Sequence, residues 1–204
     1  MKRTWGFRNL PKKGPFIIAS KHIGSLDGFF IIAAITSKLN KKLHFIASIK
    51  PWGRIWKYHI AQKWGGAIHF DKNNRAQCLV EAREYLEKGE IVGLFPEGYL
   101  DEYAVNHKPR TGAARLALWT KVPIVPVGLK YKITVENDVP VLYQFWKSVI
   151  NSFKNPHSLV INFGKPFELS EYYEKEITKE ILVEATDKII NKIEALTNNK
   201  NINK

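Results

Sequence analysis

Residues 15–39 read PFIIASKHIGSLDGFFIIAAITSKL, and this stretch changes character twice. Phe16–Ser20 is a short apolar run behind Gly14 and Pro15, which predicts a buried strand. Lys21 onward reads as a loop, and Phe29–Leu39 is long and apolar enough for a helix. The unit is strand, loop, helix. In α/β folds the functional groups tend to sit where such a strand ends and its loop begins.

Outward from this unit the same alternation continues. Leu43–Ile49 is strand-like, and Pro51 opens a predicted helix to about Trp64 at a position where its missing N–H does no harm. Ala67–Asp71 reads as a strand. Arg75–Lys88 has apolar residues at 78, 79, 82, 85 and 86, a helical spacing, and Gly89 suits its stop. Glu90–Phe95 is a strand, Gly112–Thr120 a helix, Pro123–Lys130 a strand and Leu159–Phe163 a late strand. Ser170 is expected to cap a final helix with Ile177, Ile181, Ala185, Ile189, Ile193 and Leu196 on one face. The expected fold is α/β: a largely parallel mixed sheet flanked by helices. One domain over 1–204 is expected, with a motif-bearing core at about 14–130 and a C-terminal strand and helices at about 158–197.

At 204 residues, with roughly 150 per domain, one domain is the prior, and that size builds a core without disulfides. The single cysteine, Cys78, fits a reducing compartment. Hydrophobic content of 45% and charged content of 25% exclude wholesale disorder. The longest apolar run, Phe29–Ile35, is too short to span a bilayer, and the start lacks the apolar segment of a secretory leader. Charge is unevenly placed. Residues 1–70 hold thirteen Lys and Arg and one acidic residue, Asp27, whereas the rest of the chain is nearly neutral. So one-sided a segment suggests an anionic partner: nucleic acid, a phospholipid surface or a phosphorylated ligand.

Three strand ends carry polar groups. After Phe16–Ser20 comes His22-Ile-Gly-Ser-Leu-Asp27, where the turn can fold the carboxylate back onto the imidazole. A carboxylate on one ring nitrogen fixes the tautomer and leaves the other nitrogen as a base. Gly65-Gly-Ala-Ile-His-Phe-Asp-Lys-Asn-Asn-Arg75 offers Lys72 and Arg75 at the strand's exit, suited to a phosphate. Leu94-Phe-Pro-Glu-Gly98 holds Glu97 on a rigid backbone, able to accept hydrogen bonds from a polyol. The remaining histidines, 44, 59, 69, 107 and 157, lack metal-ligand spacing, so no metal is expected.

Taken in order, these blocks resemble the glycerolipid acyltransferase superfamily, specifically its lysophosphatidic acid (1-acyl-sn-glycerol-3-phosphate) acyltransferase branch. His22 and Asp27 match the His-x4-Asp block; Gly66, Ile68, Asp71 and Lys72 match the second; residues 95–98 match Phe-Pro-Glu-Gly; residues 122–127 match the closing Val-Pro-Ile-Val-Pro-Val. Lys108-Pro-Arg-Thr-Gly-Ala-Ala-Arg-Leu-Ala117 also resembles the family's segment there. Three positions depart from the pattern. Lys21 stands where the family usually has Asn, Lys72 where it has Arg, and Tyr99-Leu100 where it commonly has Thr-Arg. That Arg is associated with the acceptor's phosphate.

The resemblance implies an acyl thioester donor, on coenzyme A or acyl carrier protein, and no other cofactor. It implies a lysophospholipid acceptor, with 1-acyl-glycerol-3-phosphate first and another lysolipid or hydroxylated acceptor as the alternative. His22 would be the general base and Asp27 its orienting carboxylate. Glu97 would position the acceptor's glycerol with Gly98 allowing close approach, and Lys72, Arg75, Lys108 and Arg110 would meet the phosphate. Backbone N–H groups near the Gly24 turn or in the second block are candidate oxyanion donors. A lipid substrate predicts a cytoplasmic protein, peripheral on the inner face of an anionic membrane. The Pro51–Trp64 stretch, with Trp52 and Trp56 on one arc, is its candidate docking helix, and packing on the sheet is the alternative for that face. A basic nucleic-acid-binding module and a silent lipid-binding relative stay open from the sequence alone.

Overall fold

In the computed structural model the described residues are 3–24, 27–47, 66–71, 73–98, 107–131 and 159–198, with the isolated helical positions 143, 147 and 150. The strands are β1 (Arg3–Trp5), β2 (Phe16–Ser20), β3 (Leu43–Ala47), β4 (Ile68–His69), β5 (Ile91–Leu94), β6 (Ile124–Tyr131) and β7 (Leu159–Phe163). The α-helices among the described elements are α1 (Asp27–Leu39), α2 (Arg75–Glu87), α3 (Gly112–Thr120) and α4 (Lys179–Thr197). The strands form one seven-stranded sheet in the order β1-β7-β6-β2-β5-β3-β4. Every pairing is parallel except β6 with β7. The sheet is therefore mixed and largely parallel, as the alternating pattern implies.

Strand β2 lies at the centre and all five of its residues are buried. Its side chains alternate between two cores. Phe16 and Ile18 join Ile31, Ala34 and Ile35 of α1, whereas Ile17 and Ala19 join a second core fed by α2, α3 and α4. Helices cover both faces, which is why β2 reads as a continuous apolar run rather than an alternating one. Each fully buried Ile or Phe among them contributes about 1.5–3 kcal/mol. Strand β7 joins the sheet and feeds the first core, and helix α4 feeds the second, although they carry none of the sequence blocks.

Two local expectations change. The long C-terminal helix begins at Lys179, capped by Thr178, whose Oγ1 accepts from the Ile181 N–H at 3.3 Å. Ser170 instead opens a 3-10 turn over Ser170–Tyr172, which turns Leu169 and Tyr172 into the core. Ile177 then precedes the helix and is exposed, while Leu182, Ala185, Thr186, Ile189 and Ile193 form the buried stripe. Strand β1 is an addition: Arg3-Thr-Trp5 carries no apolar run and is a strand because β7 offers it a parallel edge. The predicted Pro51–Trp64 helix lies outside the described residues. Among the described residues no helix is long and apolar enough to cross a membrane.

Candidate active site

Adjacent parallel strands end side by side. Ala19 of β2 is in register with Leu94 of β5, so the loop after β2, with His22, and the loop after β5, with Glu97, leave the same edge together. On the other side of β2, the Lys21 N–H donates to the Val127 carbonyl of β6 at 3.0 Å. Three strands thus fix one short loop.

Within that loop the carboxylate does fold back onto the imidazole. His22 Nδ1 lies 3.1 Å from Asp27 Oδ2. The same oxygen accepts from the backbone N–H groups of Ile23, at 2.6 Å, and Gly24, at 2.9 Å. Asp27 is wholly buried, yet it is satisfied by these donors and sits at the N-terminus of α1, where the helix dipole favours an anion. A carboxylate can only accept, so Nδ1 carries the proton and Nε2 is left with its lone pair. The His22 side chain is one-fifth exposed, and among the described residues Nε2 takes no hydrogen bond. The arrangement is a base held by one nitrogen and open at the other.

The ring is also held from below. It stacks on Phe95 at 3.8 Å between centroids and 7° between planes, and Phe95 packs against Phe45 of β3 at 4.6 Å and 44°. Gly93 of β5 makes this possible, because a Cβ there would meet the Phe45 ring at 2.5 Å. Sequence reasoning missed this stack. The signal available was the aromatic directly ahead of Pro96 and Glu97.

Glu97 is nearly buried, and its two oxygens face protein donors. Oε2 accepts from the His22 backbone N–H at 3.1 Å, and Oε1 pairs with Lys21 Nζ at 3.1 Å. Its expected role toward a polyol therefore has to use the remaining lone pairs. Gly98 follows with φ +72°, a left-handed turn closed by its N–H to the Phe95 carbonyl, and a Cβ there would meet Arg110 Cγ at 2.5 Å. Arg110 thus lies across this turn, and its N–H donates to the Pro96 carbonyl at 2.6 Å. Its side chain is exposed, as is that of Lys108 two residues earlier.

The structure brings His22, Asp27, Glu97, Gly98 and Arg110 together. Arg75 is exposed at the first position of α2, beyond the end of β4. Three strand spacings separate β4 from β2, about 14 Å, so Arg75 stands on the right edge but to the side. Lys72 and the Tyr99-Leu100 pair lie outside the described residues. The Ile23 and Gly24 N–H groups are directed at Asp27 and so are engaged there rather than presented to an oxyanion. Among the described residues no three His, Cys, Asp or Glu side chains gather as a metal site.

Comparisons with known proteins point the same way. Residues 4–130 match the family model described as Acyltransferase. A 1-acyl-sn-glycerol-3-phosphate acyltransferase of Borreliella burgdorferi is 25% identical over 194 residues, 94% of this chain and 71% of that protein. The Bacillus subtilis protein of the same name is 28% identical over 127 residues, covering 62% and 61%. An uncharacterized Mycobacterium tuberculosis protein is 27% identical over 135 residues; the match covers 61% of this chain and only 36% of the relative, so this chain matches about a third of that relative's length. The crystal structure of the 1-acyl-sn-glycerophosphate (LPA) acyltransferase PlsC from Thermotoga maritima superposes with a TM-score of 0.58 at 16% identity, covering 95% of this chain and 70% of that one. At that identity the match shows the fold.

Proposed function

Because the chain belongs to the Acyltransferase family, we propose that it moves a fatty acyl group from an acyl thioester to the free hydroxyl of a lysophospholipid. The acceptor favoured is 1-acyl-glycerol-3-phosphate, giving phosphatidic acid, in line with the names of the Borreliella and Bacillus relatives. The observation that carries the reading is the His22–Asp27 pair: Nδ1 tied to a buried carboxylate, Nε2 open. The donor is acyl-CoA or acyl carrier protein, and no other cofactor is needed.

In this mechanism Nε2 takes the proton of the acceptor hydroxyl as its oxygen attacks the thioester carbonyl. Asp27 stabilises the imidazolium that forms and keeps the ring from turning. Collapse of the tetrahedral intermediate breaks the C–S bond, and the imidazolium returns the proton to the leaving thiolate. A serine nucleophile is unnecessary, because the acceptor supplies the oxygen. Glu97 accepts from the acceptor's glycerol with its remaining lone pairs. Arg110, across the Gly98 turn, is the cation best placed for the phosphate, with Lys108, Arg75 and Lys72 supporting it. Thirteen cations in residues 1–70 would draw the protein to an anionic bilayer, where such a substrate resides.

The test is incubation with heavy-labelled acyl-CoA or acyl-ACP and a panel of lysolipids, read by mass spectrometry. Labelled phosphatidic acid as the main product is expected. Equal transfer to an acceptor without phosphate would move the assignment to another lipid class, and no acyl product from any acceptor would remove it.

A further inference from the structure

We propose that Lys21 is a positioning residue for the acyl-transfer step, holding Glu97 in the geometry in which that carboxylate grips the His22 backbone. The inference rests on the proposed acyl-transfer reading and concerns what keeps its base in place. Lys21 is one of the three positions at which this chain departs from the pattern it resembles, a cation where an Asn is usual. The Lys21 and Glu97 side chains are only 14% and 9% exposed. A carboxylate so buried has to be paired or hydrogen-bonded to remain ionised there.

The geometry assigns each partner a separate task. The Lys21 N–H is anchored on β6 through the Val127 carbonyl, and its side chain crosses the end of β2 to reach the loop after β5. Lys21 therefore ties the C-terminal ends of β2 and β5 to the middle of β6. Glu97 then uses its other oxygen on the His22 N–H. Glu97 and Phe95 share one loop, so a shift of that loop moves the backbone clamp and the ring platform together. Among the described residues the charged groups near Glu97 include Lys21 and, across the Gly98 turn, Arg110, with the His22 ring and Asp27 behind the clamp. The path from Lys21 to the base runs through Glu97, whose other oxygen holds the His22 N–H.

Charge balance is the test, using the full chain with acyl-CoA and 1-acyl-glycerol-3-phosphate. Lys21→Met leaves the carboxylate buried without its ammonium; kcat should fall about 10–100-fold, the cost of a misplaced base, with donor KM little changed. Lys21→Arg should stay within about threefold of wild type. Lys21→Met/Glu97→Gln removes both charges but keeps an oxygen facing the His22 N–H, so its kcat should lie severalfold above that of Lys21→Met, while the acceptor KM rises because the glycerol loses its carboxylate. Hydrogen exchange gives a readout independent of activity: the His22 amide should be protected in wild type and lose protection in Lys21→Met. Thermal melting separates misfolding from misplacement. Should Lys21→Met fail to fold, Lys21→Gln takes its place, alone and with Glu97→Gln. Wild-type kcat in the folded single variant, or a double variant no better than the single, would overturn the proposal. Absence of transfer by the wild-type protein would instead overturn the acyl-transfer reading itself.

Discussion

His22 and His44 each lie beside a carboxylate, and their settings differ in one respect that decides what each can do. His22 follows β2 with one ring nitrogen tied to Asp27 and the other open. His44 lies within β3, in register through Val92 with Ile17, roughly five residues or about 16 Å back along the sheet. It too stacks on an aromatic ring, Tyr85 at 3.7 Å, and it too meets a carboxylate, Glu90. But its Nδ1 is also committed, to the Gly66 carbonyl at 2.9 Å, and the residue is 2% exposed. With both nitrogens facing acceptors, His44 is a clamp between β3 and the segments at Gly66 and Glu90. The surroundings are alike in kind, and the free lone pair makes the difference. A histidine beside a carboxylate is thus no indication of catalysis until the second nitrogen is accounted for.

The comparison can be broken most sharply at Asp27. Asp27→Asn keeps the shape but presents an amide to Nδ1, so the tautomer is no longer enforced; kcat should fall on the order of 10²–10⁴-fold in a steady-state assay. Unchanged kcat would mean that the carboxylate is structural on both sides. Next in size is Gly93→Ala, whose methyl would enter the Phe45 ring. Overpacking should cost about 1–3 kcal/mol in urea unfolding and, through the Phe45–Phe95–His22 stack, lower kcat about tenfold. Loss of stability with normal kcat would show that the stack does not orient the base. Arg110→Ala should raise the KM for 1-acyl-glycerol-3-phosphate about tenfold while leaving donor KM and kcat nearly unchanged. A rise in donor KM instead would place Arg110 on the thioester side. The smallest effect belongs to Glu90→Gln: Glu90 is 41% exposed, so stability should drop by under about 1 kcal/mol and turnover should hold.

Much of this was legible in the residues because it was written in local pattern. The unbroken Phe16–Ser20 run, the helical spacing of residues 78–86 and the stop at Gly89 each report a nearby physical cause. So does the His22-to-Asp27 interval, since one turn closes it. What escaped depends on distant partners. Arg3–Trp5 becomes a strand only because β7 runs beside it, and Ser170 yields to Thr178 because Leu169 and Tyr172 are drawn into the core first. The Lys21–Glu97 pair spans 76 positions, and only the register of β2 against β5 brings it together. Sequence shows Lys21 as a departure and cannot show what that departure touches. The early cations suggest a nucleic-acid surface as one option, and all but Lys2 and Arg3 fall within the matched Acyltransferase segment.

The central claim is that the open nitrogen separates the working histidine from the structural one. Both turnover and melting temperature should be measured for His22→Ala and His44→Ala in the same preparation, with acyl-CoA and 1-acyl-glycerol-3-phosphate. His22→Ala should lose about 10²–10⁴-fold in turnover with its melting temperature nearly intact. His44→Ala leaves a buried carbonyl unpaired, costing about 2 kcal/mol; it should melt about 4–8 °C lower and turn over normally when folded. Near-normal turnover in His22→Ala, or a collapse of turnover in folded His44→Ala, would contradict the account.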